Sequence, residues 1–384
     1  MKLSVKLCAF VLSSMVSYSV ADIKVGVIGP FSKGSAPIGE SMRQGIRIAT
    51  AEINSQGGIS INGKKEKIIL IERDDEASNE KGPLFSHELI EKEKVVAALS
   101  FVNTGVAKPS LPIFQQAKIP VIIPASAGSV LTHLFEKEPE NYIFRVSAYD
   151  KLQSHMIVQE AVRRGFKKVA LLSDTTAYGQ FGREDLLEAL KAKGITPVAD
   201  EKFNIGDKDM TPQVLKSKQA GAEVLLTYGI GPELAVVAKN RVKVGFNVPI
   251  IGAWGLGMSN FVDGAGTSGN GAVTPQSFIE SEAKSGKPKE LVAQFHTING
   301  QKPMSCAPAV AQGYDATYIL KAAIEQAKSL DGNKIQHALE NLEKPISGVI
   351  TTYVKPFTKG DHEALNAENV RMGEIKNGTI ILAK

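Results

Sequence analysis

The sequence predicts an α/β fold of two lobes, each built on a parallel sheet, with the chain crossing between them three times. Short apolar runs alternate with longer stretches of helical period, which is the pattern of repeated strand–helix–strand units. The programme then restarts near residue 150 and ends with helices and late strands that return to both halves. A chain of 384 residues is long enough for about two domains, each with its own core.

The elements follow in order. Lys2 and Lys6, the apolar run Leu7–Val16 and the small residues Ser19-Val20-Ala21 form a secretory signal, with cleavage expected after Ala21. Cys8 falls inside that run rather than after it, so no lipid anchor is expected. Ile23–Ile28 reads as the first strand, halted by Gly29-Pro30. Met42, Ile46, Ala49 and Ile53 mark one face of a helix that stops at Gly57-Gly58. Strands are expected at Ile68–Ile71, Val95–Leu99, Val121–Ile123 and Tyr142–Val146, with helices over about 79–94 and 106–118. The second half gives strands at Val169–Leu172, Ile195–Val198, Val224–Tyr228 and Pro249–Gly252. Helices lie between them near 151–164, 180–193, 211–219 and 232–244. Residues 262–272, rich in Gly, Ala and Ser, read as a loop. Helices near 288–298, 308–328 and 333–343 precede strands Gly348–Val354 and Thr379–Leu382. The crossings fall near 145–149, 274–279 and 346–352. The expected lobes are therefore 22–146 plus 279–346, and 147–278 plus 347–384.

Composition excludes several functions. The formal charge is +5, and loss of residues 1–21 removes two lysines and no acid. A near-neutral chain with both signs interspersed does not suit a nucleic-acid groove. Of two cysteines only Cys306 follows the signal, which leaves no internal disulfide and no thiolate metal site. There is no G-x-x-x-x-G-K-[ST], H-E-x-x-H or G-x-S-x-G, and Gly26-x-x-Gly29 is not a dinucleotide fingerprint. His133, His155, His296 and His337 sit among charged or helical surface residues. Asp361-His362-Glu363 reads as a polar turn and Asp74-Asp75-Glu76 as a solvated strand end. No enzyme, metal site or cofactor is expected.

Binding chemistry concentrates at the carboxyl ends of predicted strands. In open α/β sheets, loops converge there and helix N-termini offer free N–H groups to anions. Ser100-Phe101-Val102-Asn103-Thr104-Gly105 and Pro124-Ala125-Ser126-Ala127-Gly128-Ser129 are both small, hydroxyl-rich segments that open helices. Asn103, Thr104, Ala125, Ser126 and Ala127 are thus candidates to cradle a carboxylate; plain helix capping is the alternative.

Val25–Pro30, Ala51–Ile59, Ile119–Ala125, Asp174–Gln180 and Gly229–Glu233 resemble the leucine/isoleucine/valine-binding protein family, in order and over essentially the whole chain after the signal. The resemblance implies the type I periplasmic binding fold, with two Rossmann-like lobes, three crossovers and a ligand in the cleft. It also implies export to the periplasm, a monomer, and delivery of a small carboxylate ligand to an ABC permease in the inner membrane. A soluble ligand-sensing co-receptor of the same fold is the alternative. The family's carboxylate-binding serine matches Thr104, its backbone contact Ala125 and its closing tyrosine Tyr178; Tyr228 is expected on the same closing side. The hydroxyl that helps hold the ligand's ammonium falls at Ala127, and the acid that neutralises it falls at Trp254. Family aromatics fall at Ile38 and Ile230. Burying an ammonium without an anion costs several kcal/mol. The departures therefore point to a carboxylate ligand with an aromatic or apolar body, stacked on Trp254.

Overall fold

The computed structural model describes residues 22–384; the expected signal segment 1–21 lies outside the described residues. Strand β1 (Ile23–Gly29) is followed by helix α1 (Ala36–Ser55), a small hairpin of β2 (Ile59–Ile61) and β3 (Lys64–Glu66), and β4 (Ile68–Asp74). Then come α2 (Lys81–Glu88), β5 (Ala97–Leu99), α3 (Thr104–Ala117), β6 (Val121–Ile123) and β7 (Ile143–Arg145). These strands form a wholly parallel sheet in the order β4-β1-β5-β6-β7.

The chain then enters α4 (Asp150–Arg163), β8 (Val169–Asp174), α5 (Ala177–Ala192), β9 (Ala199–Phe203) and α6 (Thr211–Gln219). It continues through β10 (Val224–Tyr228), α7 (Gly231–Lys243), β11 (Ile250–Gly252), α8 (Ser259–Ala265) and β12 (Val273–Gln276). Three helices follow: α9 (Gly286–Ile298), α10 (Ala307–Ala327) and α11 (Gly332–Glu340). A hairpin of β13 (Ile346–Ser347) and β14 (Thr352–Tyr353) precedes β15 (Arg371–Lys376) and β16 (Thr379–Leu382). The second sheet runs β16-β15-β12-β11-β10-β8-β9, parallel except at β15 and β16. Two parallel-sheet lobes result, with crossings after β7, after β12 and before β15.

Helix α10 returns to the first lobe and packs along α1. Gly45 lets the two backbones meet, because a Cβ there would lie 2.0 Å from the Val310 carbonyl oxygen. Neither helix has a flexible side chain to yield at that point. Gly45→Ala is expected to destabilise the protein by about 2 kcal/mol despite alanine's better helix propensity, read as a lower urea midpoint.

Four local readings are corrected. The expected strand Ile195–Val198 starts instead at Ala199, beyond Pro197, which lacks an N–H donor. As an edge strand it carries charge: Asp200 pairs with Arg183 and Glu201 with Lys216. Residues 262–272 are not all loop, because α8 buries Phe261, Val262 and Ala265. Gly348–Val354 is not one strand, since the Val349 and Ile350 N–H groups turn inward to the buried Asp315 carboxylate at 2.7 and 3.0 Å. Finally, Asp361-His362-Glu363 is no solvated turn. His362 is 5% exposed and stacks on Phe144 with ring centroids 4.0 Å apart. Glu363 reaches the buried Arg145.

Candidate functional site

The carboxyl tips of β5 and β6 stand side by side. After β5 the chain turns through Phe101, whose φ of 81° is a conformation that a bulky residue adopts only under restraint. The turn aims the Phe101 carbonyl at the Ser126 N–H, 3.1 Å away, and so ties one tip to the other. Thr104 and Ser126 hydroxyls lie 3.3 Å apart, both buried. Gly128 must be glycine for that approach, because a Cβ would sit 2.4 Å from the Thr104 methyl. Asn103 precedes α3 but makes no capping hydrogen bond with its side chain. Instead its Nδ2 donates to Ser35 Oγ at 2.9 Å, and its buried Oδ1 has no partner among the described residues. The first N–H groups of a helix lack intrahelical partners, so the donors at this tip stay available to an anion.

The chain just past β7 clamps the β6 tip residue by residue. Ser147 Oγ donates to the Ser126 carbonyl at 2.9 Å and the Asp150 N–H to the Ala127 carbonyl at 2.8 Å. Arg145 Nη1 donates to the Gly128 carbonyl at 2.7 Å.

The facing side comes from the second sheet. Thr176 caps α5 by accepting from the Gly179 N–H, which sets Tyr178 in the first helical turn. The Tyr178 and Tyr228 rings meet with centroids 5.0 Å apart. Trp254 follows β11, and its backbone N–H donates to Gln153 Oε1 at 3.0 Å. Asn103, Ala125, Ala127, Tyr178 and Trp254 line one hollow of about 20 Å³, with Ser35, Ile38 and Val102 on the first lobe's side and Ile230 and Met258 on the second's. A space of that size holds about one water, so a larger guest requires the lobes to part. Thr104 and Ser126 lie one layer beneath the hollow rather than in its wall, and Tyr228 lies behind Tyr178. A larger groove of about 650 Å³ lies at the second crossing, between α9 and the β15–β16 turn, and Gly257 and Ser259 on either side of Met258 belong to its lining.

The hollow's wall holds no charged side chain. The Tyr178 hydroxyl is buried with no well-aligned hydrogen-bond partner among the described residues, and the Trp254 and Tyr228 side chains are the polar groups beside it. An unpaired buried hydroxyl costs about 1–3 kcal/mol, so a guest that engages it recovers that penalty. Behind the wall stands Asp150, fully buried, which sequence reasoning missed. Its Oδ1 accepts from the Tyr228 hydroxyl at 2.6 Å and its Oδ2 has no partner among the described residues. Burial pushes this carboxyl up to about 7, against the opposing pull of the Tyr228 hydrogen bond. At the first turn of α4 it reads as an ordinary helix-start acid, and nothing in the sequence marks it as buried. Met258 and Ser35 were missed for the same reason: each is placed by a turn, not by a motif.

The sequence profile of the periplasmic binding protein family matches residues 22–379. The chain is similar to a Leu/Ile/Val-binding protein homolog 3 of Brucella melitensis, at 27% identity over 344 residues that cover 88% of each chain. It is 30% identical over 290 residues to a Leu/Ile/Val-binding protein homolog 2 of Brucella abortus, covering 75% of each. The solved periplasmic binding protein type 1 from Bordetella pertussis Tohama I superposes with a TM-score of 0.83 at 25% identity, over 94% of this chain and all of that one.

Proposed function

The chain belongs to the periplasmic binding protein family, and from that premise we propose that it is the solute-binding component of an ABC importer, capturing a small carboxylate ligand between its lobes. The reading rests on one observation above others. Strand tips from both sheets converge on a single hollow, with the Asn103–Ala125–Ala127 tips on one side and Tyr178 and Trp254 on the other. In this reading the lobe of 22–146 plus 279–346 takes the carboxylate through the N–H groups of its tips, with the Thr104 and Ser126 hydroxyls tying the two tips together from beneath. The lobe of 147–278 plus 347–384 then brings Tyr178 and Trp254 across it, with Tyr228 in support. Closure follows from the ligand's higher affinity for the closed form, and a permease reads that shape. The protein acts as a monomer in the periplasm after removal of residues 1–21.

Two ligand chemistries have support. Trp254 and the uncharged wall favour an acid with an aromatic or apolar body. Asp150, one layer behind, offers an anion to an α-ammonium, and the Brucella relatives are named for leucine, isoleucine and valine. Calorimetric titration with leucine and with benzoate, beside the fluorescence of Trp254 as the sole tryptophan, separates them. Saturable binding of one or both is expected, with a change in Trp254 emission. Binding that leaves Trp254 emission untouched and survives Trp254→Ala would put the site elsewhere.

A further inference from the structure

The two sheets are also joined outside the hollow, by a contact that ligand capture does not use. Ser129, at the end of the β6 tip, donates its hydroxyl hydrogen to Asp185 Oδ2 on α5, 2.8 Å away. The direction is fixed, because the Lys151 N–H already donates to Ser129 Oγ at 2.8 Å. We propose that the Ser129–Asp185 hydrogen bond is a closure latch, which sets how much of the free protein is closed and so tunes ligand affinity without touching the ligand.

Asp185 is a carboxylate set into the lobe junction without an ion-pair partner of its own among the described residues. The nearest ammonium, Lys151, is committed to Glu188 at 2.7 Å. Burial therefore acts against the charge and pushes the Asp185 carboxyl upward, with the Ser129 hydroxyl as the chief compensation. A hydrogen bond to a charged acceptor is about twice as strong as a neutral one. If the lobes part, water replaces Ser129 at Asp185 and this gain disappears from the open form. One turn away on the same helix, Phe181 lies under Lys108 Nζ of α3 at 5.1 Å, a second contact between the halves at the same edge. Neither pair lines the hollow. A contact present only in the closed form raises the closed fraction by its own strength, and apparent affinity follows that fraction.

The inference rests on the proposed opening and closing of the lobes, and its test has a readout that needs no ligand. Small-angle X-ray scattering of the free protein is compared for wild type, Ser129→Ala, Asp185→Ala, the double variant and Asp185→Asn, each checked for an unchanged far-UV spectrum. The alanine variants are expected to give a larger radius of gyration, and the double variant no more than Ser129→Ala alone, because Ser129→Ala, which also frees the Lys151 N–H, already removes the contact that Asp185→Ala removes. Asp185→Asn, which still accepts the hydroxyl hydrogen, is expected to fall between. For leucine or benzoate, whichever titrates, the alanine variants are expected to bind roughly tenfold more weakly. Identical scattering of wild type and Asp185→Ala, or single effects that add in the double variant, would overturn the latch. Failure of both acids to bind counts against the ligand reading alone, since the scattering result still decides the latch.

Discussion

Glu363→Gln is expected to lower the unfolding free energy by about 3–5 kcal/mol, a large share of the stability of a domain of this kind. Arg145 is fully buried and Glu363 nearly so. Arg145 Nε donates to Glu363 Oε2 at 2.7 Å, and Nη2 meets Oε1 as well, so the pair is bidentate. Thr132 Oγ1 donates to Glu363 Oε1 at 2.5 Å and completes the set. Glutamine keeps the shape but removes the charge, which leaves a guanidinium in the interior without its anion. Around the pair, the Arg145 N–H donates to the His362 carbonyl and the Ala364 N–H to the Arg145 carbonyl, both at 2.9 Å. The first and third crossings are thereby stitched into a short parallel bridge. Urea unfolding followed by circular dichroism gives the size of the effect. The double variant Arg145→Met, Glu363→Leu separates charge from packing: apolar replacement of both partners is expected to restore most of the loss. A loss below about 1 kcal/mol for Glu363→Gln would mean that water reaches the pair.

The pair also bears on the site, because Arg145 holds the Gly128 carbonyl as well as Glu363. The β6 tip is therefore anchored to the junction between the lobes, not merely to its own sheet. None of this was legible in the sequence. Asp361-His362-Glu363 lies more than 200 residues from Arg145, and a polar triplet after Gly360 reads as a turn unless a distant cation is known to wait for it. The parallel strands were legible because they are short apolar runs bounded by Gly and Pro, as at Ile23–Gly29 and Val121–Ile123. β15 was not, because it pairs antiparallel near a sheet edge and shows water an open face, so Arg371, Glu374 and Lys376 interrupt its pattern. Of the candidate residues read from sequence, Asn103, Ala125 and Ala127 follow strand tips, where chain order and strand ends determine who meets whom, and Tyr178 opens α5 just past β8. Asp150 and Asp185 were hidden because each is a helix acid, and only tertiary packing, beside Tyr228 for the first and Ser129 for the second, buries them.

Asp150→Asn is expected to make the protein more stable and worse at binding an amino acid. The native carboxyl is pushed up to about 7 by burial, from an ordinary value near 3.8. From roughly pH 4 to pH 7 the folded form then holds a proton that the unfolded chain has released, so stability falls as pH rises through that window. Above it, the ionised and half-unpartnered carboxylate is a standing cost of up to a few kcal/mol. The asparagine variant has no charge to bury and can still accept from the Tyr228 hydroxyl through its own oxygen. At pH 8 it is expected to gain about 2–3 kcal/mol over wild type, while at pH 4 the two converge. If the ligand carries an α-ammonium, Asp150 is the buried anion behind the wall that compensates its charge, and the variant should lose roughly a hundredfold in leucine affinity. Leucine binding to the wild type below pH 7 should then release a proton, visible as a dependence of the calorimetric heat on the buffer's ionisation enthalpy. A benzoate-type acid makes no demand on Asp150, so its affinity should stay within about threefold. A variant that gains stability at high pH and loses leucine alone assigns Asp150 to the ammonium. One that gains stability and loses neither acid returns Asp150 to the framework and leaves Trp254 to decide what the hollow holds. A variant less stable than wild type at pH 8 would mean that the carboxylate is compensated after all, and the ammonium reading would go with it.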